Sequence, residues 1–179
     1  MAKRLVINGK SRLSVCNAID KVLLNKNIPE LAEREKELIQ ALSDMGMTVI
    51  AKGNISKNHS DVENTVDDTI FYKEFLSAKI LLAEVDSLEE SIATINKYSG
   101  GHSAVIVSKD KNAAWEFQKK VDCAAVYHNA STRFTDGGEF GFGAEIAIST
   151  QKLHFRGPLG LAQLVTNKFY VYGTGQTRD

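Results

Sequence analysis

Between Lys79 and Tyr127 short apolar, β-branched runs alternate with amphipathic segments, and this alternation constrains the fold of the chain more than any other feature. The pattern predicts strands over 79–85, 104–107 and 124–127, separated by helices over 88–98 and 112–121. Asp86 or Ser87 is suited to cap the first helix and Asp110 the second. Strands joined through helices require right-handed crossovers and a parallel or mostly parallel sheet. The fold class is therefore α/β, a three-layer domain around a mostly parallel sheet. The same reading places a helix at 30–44, opened by Pro29 and Glu30, and a strand at 47–51.

Before these elements the chain is harder to read. Leu5–Asn8 is a short apolar run of strand character, followed by the polar break GKSRLS. From Asn17 onward Ala18, Ile19, Val22 and Leu23 fall at helical spacing, which places Cys16 at a helix start. There, unpaired N–H groups and the helix dipole favour a thiolate. A free cysteine is as readily a small buried hydrophobe, and on position alone both readings stay open. Cys123, among strand-like apolar residues in VDCAAVYHN, reads as core. His59 lies in a turn-rich polar segment and reads as a solvated loop residue, and the acidic residues Glu63, Asp67 and Asp68 read as a solvated face.

After Tyr127 the regular pattern stops. The stretch Asn129–Pro158 contains Gly137, Gly138, Gly141, Gly143 and Gly157 with Arg133, His154 and Arg156, and has no extended apolar face. So long a segment without obvious secondary structure implies a functional or assembly loop. In open α/β sheets ligands gather at the carboxyl ends of the strands, which is where a loop following Tyr127 would emerge. Beyond it, Lys152–Phe155 and Val165–Tyr172 are predicted to form a projecting hairpin. Such an element normally pairs with another surface, often a second subunit.

Composition removes several classes of function. Lys plus Arg and Asp plus Glu number 22 each, so no positive excess argues for nucleic acid or an anionic membrane surface. No membrane-length apolar window and no secretory leader is evident, and the two cysteines suit free thiols of a cytoplasmic protein. No metal-ligand spacing, P-loop or nucleophile elbow occurs, so no metal is expected. The paired glycines at 137–138 do not open a helix after a strand, as a dinucleotide fingerprint would.

The run NASTRFTDGGEFGFGAEIAISTQKLHFRGPLG from Asn129 to Gly160, SVCNAIDKVLL around Cys16, KEFLSAKILLAEVDSLEESIATINKYSGGHS from Lys73 and VYGTGQTR near the end resemble, in order, the gamma-glutamyl phosphate reductases of proline biosynthesis. These belong to the aldehyde dehydrogenase superfamily. The resemblance implies that Cys16 is the nucleophile, attacking the acyl phosphate of gamma-glutamyl phosphate to form a thioacyl intermediate that NADPH reduces to glutamate-5-semialdehyde. It also implies that the Cys16 backbone N–H is an oxyanion donor and that Glu74 contacts the nicotinamide ribose of the cofactor. The resemblance further implies that Asn129 and Arg133 lie in the loop that approaches the substrate, Arg133 as a fork for its α-carboxylate or as a structural ion-pair partner. The family commonly carries proline three residues before the nucleophile, where this chain has Leu13.

The family's additional nucleotide-binding domain lies largely outside the matched segment. The expected organisation is thus a thiol-bearing catalytic domain over 1–150 and an oligomerisation hairpin and tail over 151–179. Such a piece, cut from a longer reductase, would be inactive alone. The alternative is a non-catalytic assembly module forming a homo-oligomer through its C-terminal hairpin.

Overall fold

A computed structural model describes residues 1–148, 151–152 and 155–179. The chain begins with helix α1 (Ala2–Gly9), where a strand was expected. The apolar run there is short, and its helical conformation lets Val6 pack with Ile19 and Leu38 in a common core. Gly9 permits the close approach at the helix end: a Cβ there would stand 2.3 Å from Ile19 Cδ1. Strand β1 (Lys21–Asn25) follows a turn-rich segment, helix α2 (Leu31–Asp44) leads to strand β2 (Thr48–Lys52), and a single helical turn, α3 (Asn54–Asn58), precedes strand β3 (Glu63–Thr65). Strand β4 (Lys79–Val85), helix α4 (Leu88–Tyr98), strand β5 (Ser103–Ile106), helix α5 (Lys111–Lys120) and strand β6 (Ala125–His128) then reproduce the alternation read from sequence.

The helix expected from Asn17 is replaced by β1. Four apolar residues at helical spacing are weak evidence against Val22, Leu23 and Leu24 pairing with Leu82, Ala83 and Glu84 of β4. The main sheet runs β1-β4-β2-β3, all parallel. β4 is central and buried on both faces, as parallel strands covered by helices must be. Its side chains divide with the two-residue period of a strand: Ile80 and Leu82 join Leu38, Ile39, Leu42 and Ile55, whereas Leu81 and Ala83 join Ile50, Ile70 and Phe71. β5 and β6 form a second parallel pair. Its core of Ile92, Ala104, Phe117, Val121 and Cys123 confirms the buried reading of Cys123.

The predicted caps form: Ser87 Oγ accepts the Glu90 N–H, and Asp110 accepts those of Asn112 and Ala113. His59 departs from expectation. The turn α3 is anchored by fully buried Ile55, and this carries His59 inward until Nε2 lies 3.5 Å from Oε2 of Glu35, itself buried within α2. The acidic residues Glu63, Asp67 and Asp68 are exposed, as read, with Glu63 on β3 and Asp67 accepting the Thr69 N–H.

The antiparallel hairpin is formed by β7 (Ile146–Ile148) and β8 (Gly157–Leu159), with Ile146 opposite Leu159. Of the proposed first hairpin strand, Leu153 and His154 lie outside the described residues. Val165–Tyr172 forms no strand, and Phe169, Tyr170, Val171 and Tyr172 are 71–91% exposed. Without a partner strand its alternating pattern has no backbone ladder to join. The hairpin meets the domain body through Asp122, which pairs with Lys152 and with Arg156 at 2.8 Å. No helix among the described residues is long and apolar enough to cross a membrane.

Candidate active site

Cys16 lies in the turn-rich segment between α1 and β1, exposed, rather than at a helix start. Its pKa is accordingly raised. Partial burial of the sulfur is the leading cause, followed by the charge of Glu145; the N–H groups of Cys16 and Asn17 pull downward but are outweighed, and Glu74 adds to the rise. Burial and the nearby carboxylates thus favour the thiol over the thiolate at rest.

The next residue holds the segment in place. Asn17 is buried; its Nδ2 donates to the backbone oxygens of Thr135 at 2.9 Å and Arg133 at 3.4 Å, and its backbone oxygen accepts from Thr132 Oγ1 at 2.7 Å. Arg133 Nη1 donates to Asn17 Oδ1. The loop after β6 is therefore locked to the cysteine turn more than a hundred residues earlier in the chain. A short 3₁₀ turn, Thr132–Phe134, shapes this part of the loop, and Ser131 Oγ accepts its Arg133 N–H.

A hydroxyl chain extends from the same loop. Thr135, fully buried, shares hydrogen bonds with Ser103 Oγ at 2.7 Å and Tyr127 Oη at 2.8 Å, and Ser103 Oγ lies 2.9 Å from Nδ1 of His102. Beyond it, Phe142 N–H returns to the Gly137 oxygen and Gly137 N–H donates to Glu145 Oε2 at 3.0 Å. A Cβ at residue 137 would meet the Ala144 oxygen at 2.6 Å, so glycine is required for this reversal. The outcome is convergence: the Cys16 sulfur, a ring nitrogen of His102 and a carboxylate oxygen of Glu145 lie within 4.8 Å of one another. His102 Nε2 and Glu145 Oε1 are buried and find no hydrogen-bond partner among the described residues. Desolvation lowers the His102 pKa, against the opposing charges of Glu145 and Glu74, so the ring is held neutral.

These groups sit toward the amino ends of β1, β4 and β5. Cys16 precedes β1, His102 immediately precedes β5, and Glu74 precedes β4 in a segment tied to β1, since Phe75 N–H donates to Asp20 Oδ2 at 3.1 Å and Lys21 Nζ to the Lys73 oxygen at 2.7 Å. Asp20 also pairs with Lys10, whose side chain is fully buried, at 3.1 Å. The loop leaves β6 at the carboxyl end, where the sequence reading looks for a site, and folds back, so this cluster lies at the opposite end. Asn129 remains behind. It adopts φ 56°, accepts from Ser108 N–H at 3.0 Å and donates to the Ser108 oxygen at 2.9 Å, beyond the carboxyl end of β5. Among the residues singled out from sequence, Cys16, Arg133 and Glu74 are thus drawn together, whereas Asn129 closes on Ser108. His102 and Glu145 were not singled out, although both lie in the segments that carry the family resemblance. Only folding discloses that they face one thiol.

The parallel α/β layers thus carry a surface thiol beside a histidine ring and a carboxylate. The sequence pattern of the aldehyde dehydrogenase family matches residues 29–144, and the chain belongs to that family. Cys16 lies ahead of the matched range. The chain is 47% identical to the gamma-glutamyl phosphate reductase of Dictyoglomus thermophilum, over 100% of the chain and 43% of that protein, and 48% identical to that of Caldicellulosiruptor bescii with the same coverage. The crystal structure of the gamma-glutamyl phosphate reductase of Thermotoga maritima superimposes with a TM-score of 0.89 at 40% identity, over 99% of the chain and 42% of that structure. The chain therefore spans less than half the length of these relatives.

Proposed function

We propose that the chain is the thiol-bearing portion of an NADPH-dependent gamma-glutamyl phosphate reductase of proline biosynthesis, with Cys16 as the nucleophile. The observation that carries this reading is the match of the whole chain to such reductases, joined to a surface thiol held by a buried network. Cys16 Sγ attacks the acyl carbon, the carbon–oxygen bond to phosphate breaks with its electron pair leaving on phosphate, and a thioester forms on the protein. The Cys16 N–H, near enough to its own sulfur to lower the thiol pKa, would donate to the developing oxyanion. A bound nicotinamide cofactor supplies hydride. Glu74, exposed and close enough for its charge to raise the Cys16 pKa, suits a hydrogen bond from the cofactor's ribose. Arg133, oriented by Asn17, directs its remaining N–H groups to the substrate α-carboxylate. Asn129 supports the substrate side indirectly, by shaping the base of the loop.

We assign residues 1–150 to this catalytic portion and 151–179 to assembly into a homo-oligomer; the exposed aromatic run 169–172 supports the latter. The nucleotide-binding portion of the reductase lies in the length that the relatives possess and this chain does not span, so turnover by the chain alone is expected to be negligible. Incubation with acetyl phosphate, an acyl phosphate probe, followed by mass spectrometry should find one acetyl group, on Cys16 and lost on Cys16→Ser. Acetylation confined to lysines would sink the reading. An assembly module without catalysis would leave Cys16 unmodified while still self-associating.

A further inference from the structure

We propose that His102 is the proton-transfer partner of Cys16, taking the thiol proton at Nε2 as the sulfur attacks and returning it when the carbon–sulfur bond breaks. This deepens, and rests on, the reading of Cys16 as the nucleophile.

The geometry carries the assignment. A ring nitrogen of His102 lies within 4.8 Å of the Cys16 sulfur. Nδ1 is engaged by Ser103 Oγ at 2.9 Å, whereas Nε2 is buried and has no hydrogen-bond partner among the described residues. In the neutral ring with its proton on Nδ1, that proton is donated to Ser103 and Nε2 carries the free lone pair. A buried acceptor with no donor is costly, and such a group beside a thiol is suited to receive its proton.

The framework makes the placement durable. Ser103 Oγ bonds Thr135 Oγ1 at 2.7 Å, and the Thr135 oxygen accepts from Asn17, the neighbour of Cys16, at 2.9 Å. One threonine thus positions the base through its side chain and the nucleophile through its backbone. Holding reacting groups in register lowers the entropic cost of transfer.

The charges facing the pair favour histidine over a carboxylate as the acceptor. Glu145 and Glu74 both act on the sulfur and on the ring. Their negative charge opposes a lone thiolate but stabilises an imidazolium, so transfer onto His102 creates a thiolate–imidazolium pair beside two carboxylates. A carboxylate oxygen of Glu145 lies within 4.8 Å of the ring nitrogen and stands near the cation so formed. In the acylation step the S–H proton moves to Nε2, the S–C bond forms and phosphate departs. On aldehyde release the C–S electrons return to sulfur, which recovers the proton.

The test is alkylation of Cys16 by iodoacetamide in the intact chain, read at the Cys16 peptide so that Cys123 does not contribute. In wild type the rate should rise through the imidazole range and then level, and should slow in D₂O. In His102→Gln it should fall about 10²-fold at neutral pH, the lower end of a placed acid–base group. It should then climb with pH towards ordinary thiol ionisation, lose the solvent isotope effect and be partly rescued by added imidazole. Ser103→Ala, which leaves the ring but removes its Nδ1 partner, should give a smaller loss. A wild-type profile with a single thiol ionisation and no isotope effect overturns the proposal even if His102→Gln fails to fold, as does a folded His102→Gln with the wild-type profile. Acetyl transfer to Cys16 alongside either result would show that the nucleophile reading survives and only the histidine assignment falls. Absence of acetyl transfer with the expected alkylation profile would remove the acyl phosphate reading instead.

Discussion

The main sheet and the C-terminal segment treat apolar residues in opposite ways. In β4 the side chains of Ile80, Leu81 and Leu82 are fully buried, and β1 and β2 pair with the strand on either side. After Gly160 the chain carries Leu161, Val165, Phe169, Tyr170, Val171 and Tyr172, each more than half exposed and none in a strand. Comparable residue types are core in one region and uncovered in the other. The difference shows that β4 is covered on both faces within this chain, whereas the apolar residues of the tail are left uncovered among the described residues. The cluster around Cys16 lies between these extremes: Asn17, Ser131, Thr132 and Thr135 are buried polar residues held by hydrogen bonds rather than by an oily core.

The comparison can be broken most forcefully at the sheet edge nearest Cys16. Asp20→Ala leaves Lys10 buried and unpaired and should lower stability by about 3–5 kcal/mol in denaturant titration; a loss below about 1 kcal/mol would show that the turn before β1 is not part of the rigid body. Leu82→Ala empties the centre of the sheet and should cost about 2–5 kcal/mol by the same measurement. Gly137→Ala tests the site rather than the core. Its Cβ conflicts with backbone, so a cost of about 1–3 kcal/mol is expected, together with altered Cys16 alkylation because Glu145 is displaced; unchanged alkylation would separate the glycine turn from the site.

A smaller effect should follow pH. Burial, with a contribution from Glu84, raises the Glu35 pKa, while His59 pulls it down. A carboxyl whose folded pKa is raised stabilises the fold below its unfolded pKa of about 4.5, and that contribution is lost as pH rises through the folded value. Glu35→Gln should therefore raise Tm at pH 7, by at most about 2–4 °C, and show no gain at pH 4; an equal gain at both would place the effect elsewhere. Removal of residues 161–179 should change stability least, by less than about 0.5 kcal/mol, but should reduce the sedimentation coefficient if the exposed aromatic run mediates assembly.

Much of the architecture was legible because its signals are local. Helices at 31–44, 88–98 and 111–120 have apolar stripes, and two of them have capping residues that fold as read. The errors fall where local preference is weak. Leu5–Asn8 and Asn17–Leu23 are short segments whose conformation follows from what they pack against, α2 for the first and β4 for the second. His59 was misread for the same reason: a polar segment does not disclose that one turn of helix will carry it onto Glu35.

By itself the sequence determined the α/β class, the order of the central elements and the family, since periodicity, caps and long motifs are properties of contiguous residues. It also singled out Cys16, Glu74, Asn129 and Arg133. Only the tertiary structure decided that Asn129 closes on Ser108, that Cys16 lies in a turn rather than at a helix start, and that His102 and Glu145 face its sulfur. The physical reason is sequence separation: these groups come from three distant segments, and they are brought together by parallel crossovers and by Asn17 holding the far loop, a contact no local pattern encodes.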